Sequence, residues 1–164
     1  MDLGLNETQE MLKTAAHDFI ERECPVTEAL AMDKTETAFS PEMWKKMAEL
    51  GWTGMLLPEE YGGMDSSFTD LAVIFQEMGW GAIPSPLMSS AVLCGLTILA
   101  GGTERQKKDL LPPIARGEKI AALALTESDG HWSPESIHLS AVPKDGGYVL
   151  NGTKLFVHDA HIAD

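Results

Sequence analysis

The sequence predicts an α+β chain, with an all-helical part over residues 1–118 and a β-type part over residues 119–164. Three observations carry that reading. Apolar residues recur at helical spacing through the first two-thirds of the chain. Cap and breaker residues punctuate those runs at their ends. After Gly117-Glu118 the apolar period shortens to strand-like runs, so the boundary is placed there. No internal repeat, low-complexity stretch or long linker interrupts the pattern.

Asn6 with Gln9 three residues on is a capping-box pattern, each side chain serving the other's backbone N–H. Met11, Leu12, Ala15, Ala16, Phe19 and Ile20 then recur at helical spacing to about Cys24, and Pro25 ends the run. Ser40-Pro41 supplies an N-cap and a first-turn proline. Met43, Trp44, Met47 and Leu50 form one apolar stripe assigned to the core, and Gly51 suits the C-terminal cap. The connector 55–63 ends on Gly62-Gly63, a pair that favours positive φ and a tight turn. It lacks the GxGxxG or GxxxxGK context of a phosphate loop. A third helix is expected over about 67–78 and a fourth over about 85–100, stopped by Gly101-Gly102. Thr103 and Gln106 make a second capping box, opening a short helix that reaches about Arg116.

The β-type part opens with the continuous apolar run of residues 120–125, as in a strand buried on both faces. Residues 137–141 alternate apolar with polar, as on a half-buried strand. Lys144-Asp145-Gly146-Gly147 is a turn and Tyr148-Val149-Leu150 a strand. Asn151-Gly152 is a hairpin signal, with residues 153–158 as the returning strand. About 45 residues of β pattern leave strand edges that more chain or a partner must supply.

Composition excludes several function classes. At 164 residues the chain can remove about two-thirds of its unfolded surface from water, and 44% hydrophobic content argues against disorder. Acidic residues outnumber basic ones 25 to 12, a formal charge of -13, so a polyanion such as nucleic acid is repelled. Cys24 and Cys94 match no metal or CxxC spacing and read as buried thiols in a reducing compartment. The acidic N-terminus is neither a secretory signal nor a transit peptide, and residues 88–100 are too short to span a bilayer. A cytoplasmic chain is expected. His158 and His161, with Asp159 or Asp164, invite a metal reading, but strand-like spacing puts the two imidazoles on different faces, so no metal is expected.

Four pieces in order resemble the acyl-CoA dehydrogenase family of flavoproteins. They are Trp44-Lys45-Lys46-Met47-Ala48-Glu49-Leu50-Gly51-Trp52 leading into Leu57-Pro58-Glu59-Glu60-Tyr61-Gly62-Gly63, and Gly102-Thr103-Glu104-Arg105-Gln106-Lys107 with Leu111-Pro112-Pro113-Ile114-Ala115-Arg116-Gly117-Glu118. Ala124-Leu125-Thr126-Glu127 and Gly147-Tyr148-Val149-Leu150-Asn151-Gly152-Thr153-Lys154 complete the set, so the resemblance covers essentially the whole chain. It implies a helical N-terminal domain followed by an antiparallel β-barrel-like domain, truncated here before the C-terminal bundle that carries the family's glutamate base. It also implies FAD as cofactor and α,β-dehydrogenation of an acyl-CoA thioester as the parent activity, an oxidoreductase reaction of lipid metabolism. An electron-transfer flavoprotein-like acceptor and a homo- or hetero-oligomer are implied as partners. No catalytic residue falls within this chain, so the segment alone is expected to be inactive.

Carried over position by position, the resemblance places Leu123, Leu125 and Thr126 where the family contacts flavin with backbone groups and a hydroxyl. Phe156 falls where an aromatic, often tryptophan, lies beside the isoalloxazine, and His158 replaces the Thr or Ser that donates toward flavin N5. Trp132 and Ser133 fall in the segment facing flavin phosphates and the acyl-CoA pantetheine. There the family's Glu-Pro-x-Ala-Gly-Ser-Asp is replaced by Glu127-Ser128-Asp129-Gly130-His131-Trp132-Ser133. Residues 83–86, Ile-Pro-Ser-Pro, resemble members acting on bulky acyl groups, some in paired unequal subunits. A non-catalytic partner subunit of a heteromeric acyl-CoA dehydrogenase is therefore the alternative reading. An acyl-CoA oxidase-like flavoenzyme is a third.

Overall fold

The caps at Asn6, Ser40 and Thr103 form in the folded chain, and they set where its helices begin. The computed structural model describes residues 4–131 and 133–164. Helix α1 (Glu7–Glu23) starts at Asn6, whose side chain accepts from the Gln9 N–H at 2.9 Å while the Gln9 side chain accepts from the Asn6 N–H at 3.1 Å. Pro25 ends that helix but also opens a second, α2 (Val26–Met32), because its carbonyl accepts from the Glu28 N–H at 2.8 Å. Helix α3 (Pro41–Glu49) is capped by Ser40 at 3.2 Å, and α4 (Phe68–Trp80) by a Ser67/Asp70 capping box. Two short 3₁₀ turns, Trp52–Gly54 and Glu59–Tyr61, lie between α3 and α4. The expected fourth helix is a π-helix over Leu87–Cys94 running into α5 (Gly95–Gly101). Thr103 then opens α6 (Glu104–Ala115) with its box to Gln106.

Helices α1 and α4 lie side by side and run in the same direction. Gln9 Nε2 donates to Asp70 Oδ1 at 2.9 Å near their starts, and His17 Nδ1–H donates to Glu77 Oε2 at 2.8 Å further on. Alongside those bonds Ala16, Phe19 and Ile20 of α1 join Leu71, Ile74 and Met78 of α4 in the main core, with Met43, Trp44 and Met47 of α3. Burying a side chain of that size stabilises the fold by about 1.5–3 kcal/mol before ordering costs. A second cluster joins Leu57 and Tyr61 to Leu111, Ile114 and Ala115 of α6. The stripes are narrower than their periodicity suggests. Met11 is 69% exposed, and Leu50, expected in the core, is 48% exposed because it is the C-cap residue where α3 turns away.

The paired glycines of the connector do different work. Only Gly62 takes positive φ, at 83°. Gly63 is needed for close approach, since a Cβ there would sit 1.9 Å from the Leu57 carbonyl oxygen.

Among the described residues the β-type part contains a single antiparallel hairpin, β1 (Ala141–Lys144) paired with β2 (Gly147–Leu150), in the register Ala141↔Leu150 and Val142↔Val149. Its turn is Asp145-Gly146, both at positive φ (48° and 79°), the backbone a two-residue type I′ loop demands. The hairpin expected at Asn151-Gly152 does not form, because residues 153–158 do not ladder with β2. Residues 120–125 and 153–158 form no laddered strand: Ala124 and Leu125 are exposed rather than buried on both faces, Phe156 is left-handed at φ 52° and His158 lies in a turn; of 137–141 only Ala141 enters a strand. All eight residues of the hairpin are exposed. No helix among the described residues is long and apolar enough to cross a membrane.

Candidate functional site

Segments 120–126 and 153–159 converge on one another over the helical core. The first is anchored where it leaves α6. Trp44 Nε1–H donates to the Gly117 carbonyl at 2.8 Å, Ile120 exchanges backbone and carboxylate bonds with Asp164 at 2.8 and 2.9 Å, and the Ala121 N–H donates to Ser90 Oγ at 3.0 Å. The second returns to the helices through Asp159, which accepts from the Ser89 hydroxyl, and through His161, whose Nε2–H donates to the Thr37 carbonyl at 2.9 Å. Ile162 packs against the main core.

The two segments meet where the Leu155 N–H donates to the Thr126 carbonyl at 2.8 Å. Beside that bond Lys154 Nζ donates to the Leu125 carbonyl at 3.0 Å and to Glu127 Oε1 at 2.7 Å. Glu127 in turn accepts the backbone N–H groups of His138 and Leu139 at 3.0 and 2.9 Å. The Lys154 bond first, then those two N–H groups, pull the Glu127 carboxyl down from its ordinary 4.5 to about 2, against the opposing effect of burial. One carboxylate thus ties three stretches of chain together.

Around this clamp lie most of the residues singled out from the sequence. Leu123 and Thr126 are half-buried, and Leu125 is 37% exposed. Among the described residues, the backbone N–H groups of Leu125 and Thr126 and the Thr126 hydroxyl have no hydrogen-bond partner. Phe156 is 83% exposed and held at φ 52°, a left-handed backbone that costs a non-glycine residue about 1–2 kcal/mol. An uncovered aromatic face next to free donors and a free hydroxyl fits the edge and plane of a flat polar ring.

Other candidates stand apart. His158 is exposed, and no hydrogen bond joins it to the clamp among the described residues. Ser133 is exposed, donates its hydroxyl to Glu135, and caps a turn through the Ser136 N–H at 3.0 Å. Trp132 lies outside the described residues. No three His, Cys, Asp or Glu side chains converge as metal ligands among the described residues. Sequence reasoning missed Ser89, Ser90, Asp159 and the clamping roles of Glu127 and Lys154. The bonds Lys154–Glu127, Ala121–Ser90 and Ser89–Asp159 join residues 27, 31 and 70 apart, beyond any local window.

A cleft of about 570 Å³ lies elsewhere. Trp44, Lys45, Arg116, Ile120, Ile162 and Asp164 are among its walls, and none of the candidate residues above lines it. Its Arg116 is already bound two-pronged to Glu118, at 2.7 and 2.8 Å.

Helical core, hairpin and converging segments together define an α+β subunit whose helical part carries the β-type part. Residues 6–118 match the family described as Acyl-CoA dehydrogenase, N-terminal domain. The chain belongs to the acyl-CoA dehydrogenase family. It is 35% identical over 161 residues to an acryloyl-CoA reductase (NADH) of Anaerotignum propionicum, covering 96% of this chain and 40% of that protein. It is 34% identical over 167 residues to a short-chain-specific acyl-CoA dehydrogenase of Clostridium acetobutylicum, covering 100% of this chain and 43% of that protein. A solved acyl-CoA dehydrogenase of Bacillus anthracis complexed with FAD superposes with a TM-score of 0.82 at 31% identity, over 93% of this chain and 27% of that one. The chain thus spans about two-fifths of the length of these curated relatives.

Proposed function

We propose that this chain is the part of a flavin-dependent acyl-CoA dehydrogenase in which a helical domain over residues 1–118 carries the first flavin-binding segments of a β-domain over residues 119–164. The observation that carries the reading is the Leu155–Thr126 bond, which joins the segment with the free N–H groups of Leu125 and Thr126 to the segment with the exposed ring of Phe156. Leu123, Leu125 and Thr126 would hold the polar edge of FAD through backbone groups and the Thr126 hydroxyl. Phe156 would cover its plane, and His158 would donate from the end of the second segment. When bound, FAD supplies hydride acceptance in the α,β-dehydrogenation of an acyl-CoA thioester, a chemistry no side chain provides. Glu127 and Lys154 keep the two segments in register, and the segment 128–133, with Trp132 and Ser133, would face the acyl-CoA. An electron-transferring flavoprotein as acceptor and an oligomeric assembly complete the proposal.

The altered 128–133 turn supports a second reading, a subunit that keeps the fold beside an active partner without turning over. Absorption between 350 and 500 nm separates the two. Protein carrying this sequence is purified, mixed with FAD and passed through gel filtration. A flavin band that stays with the protein is expected. A protein that stays colourless after FAD overturns the flavin reading and leaves the partner subunit.

A further inference from the structure

We infer that Ser89 and Ser90, adjacent residues of the π-helix, are positioning residues that set the register of the two segments proposed to hold the flavin; the inference rests on that proposal for its functional meaning. Both serines are buried, at 2% and 0% exposure, among Leu87, Ala91, Val92 and Cys94. A hydroxyl in such surroundings is tolerated only when it is bonded. Each is bonded to a different segment. Ser90 Oγ accepts the Ala121 N–H at 3.0 Å, two residues before Leu123. Ser89 has one proton to give and two acceptors near it, the Pro86 carbonyl at 3.1 Å and the Asp159 carboxylate. The carboxylate is the stronger, charge-assisted acceptor and takes it. Asp159 directly follows His158.

These bonds close a ring. It runs from Ser90 to Ala121, along the first segment to Thr126, across to Leu155, along the second segment to Asp159, and back to Ser89. Phe156 and Asp159, the second segment's left-handed residues at φ 52° and 57°, hold that backbone only while the surroundings impose it. Ser89 and Ser90 are adjacent in the π-helix and both lie on its buried side.

Amide hydrogen exchange on the purified protein tests the ring without any cofactor. Ser89→Ala is expected to speed exchange about tenfold at Leu155, Ala160 and Ile162, and Ser90→Ala at Ala121, with α1 and α4 unchanged in both. Asp159→Asn, which keeps an oxygen acceptor for Ser89, is expected to retain near wild-type protection. Acceleration spread evenly over all six helices, or none at Leu155 in Ser89→Ala, overturns the inference. Titration with FAD then reads the function, with affinity about tenfold weaker and a changed visible band shape in Ser89→Ala. Selective loosening with unaltered flavin affinity and spectrum overturns the functional role. If wild-type protein takes up no FAD, the flavin proposal itself fails, and the exchange pattern still decides whether the serines set the register.

Discussion

Replacing Gly63 by alanine destabilises the helical part more than replacing its neighbour Gly62, although only Gly62 has the left-handed backbone. The new Cβ at residue 63 would lie 1.9 Å from the Leu57 oxygen, 2.4 Å from the Leu57 carbonyl carbon and 2.7 Å from the Gly54 oxygen. All three are backbone atoms, so no side chain can swing aside, and relief requires a backbone shift of about 1.5 Å. That shift pulls on three bonds closing the loop, Met64 N–H to Gly54 O at 3.1 Å, Asp65 N–H to Leu57 O at 2.9 Å and Ser66 N–H to Met55 O at 2.9 Å. At about 1 kcal/mol each, their loss comes to about 3 kcal/mol. At Gly62 nothing lies within 4 Å of the new Cβ, and the cost is the left-handed backbone alone, about 1–2 kcal/mol. Thermal unfolding followed by circular dichroism measures both. The melting temperature is expected to fall by about 9 °C for Gly63→Ala and about 5 °C for Gly62→Ala. A Gly63→Ala protein no less stable than Gly62→Ala refutes the close-approach argument.

Other outcomes follow from the same geometry. Because the folded Glu127 carboxyl lies at about 2 against an ordinary 4.5, its contribution is complete above about pH 4.5 and is lost as pH falls toward 2. An acid titration followed by exchange at His138 and Leu139 shows that loss in the wild type and not in Glu127→Gln. Leu111→Ala, at a fully buried position of the second cluster, costs about 3 kcal/mol in urea unfolding. Phe156→Asn replaces an exposed aromatic at φ 52° with a residue that tolerates that backbone, so the melting temperature rises by about 2 °C while FAD affinity falls. Trp44→Phe removes the indole donor to Gly117 and costs about 1 kcal/mol in the same unfolding assay.

Helix starts were legible because a cap is a local bargain between residues three apart, as at Asn6 and Gln9 or Thr103 and Gln106. Helix α2 was not, since Pro25 reads as an ending and Ala29 is its one buried residue, too few for a stripe. In the β-type part the pattern of residues 120–125 suggests a strand buried on both faces, but a strand also needs a neighbour to ladder with, which no single segment announces, and none forms there. Asp145-Gly146 and Asn151-Gly152 are equally good loop dipeptides. The choice between them rests on the pairs Val142↔Val149 and Ala141↔Leu150 that only the fold brings together. At the candidate site, Thr126 and Phe156 were found through family resemblance. The bonds that orient them, from Ser89, Ser90, Glu127 and Lys154, span distances in sequence that periodicity cannot see.

The parallel packing of α1 and α4 has a consequence for how the chain is made. Residues 9 and 17 find their partners 61 and 60 positions later, so the first helix leaves the ribosome with its apolar face unmatched. A lone helix of 17 residues is marginal in water, and closing a gap of that length costs entropy before any contact rewards it. Phe19 and Ile20 therefore stay uncovered until α4 has been synthesised, and folding of this half is gated by its fourth helix rather than its first.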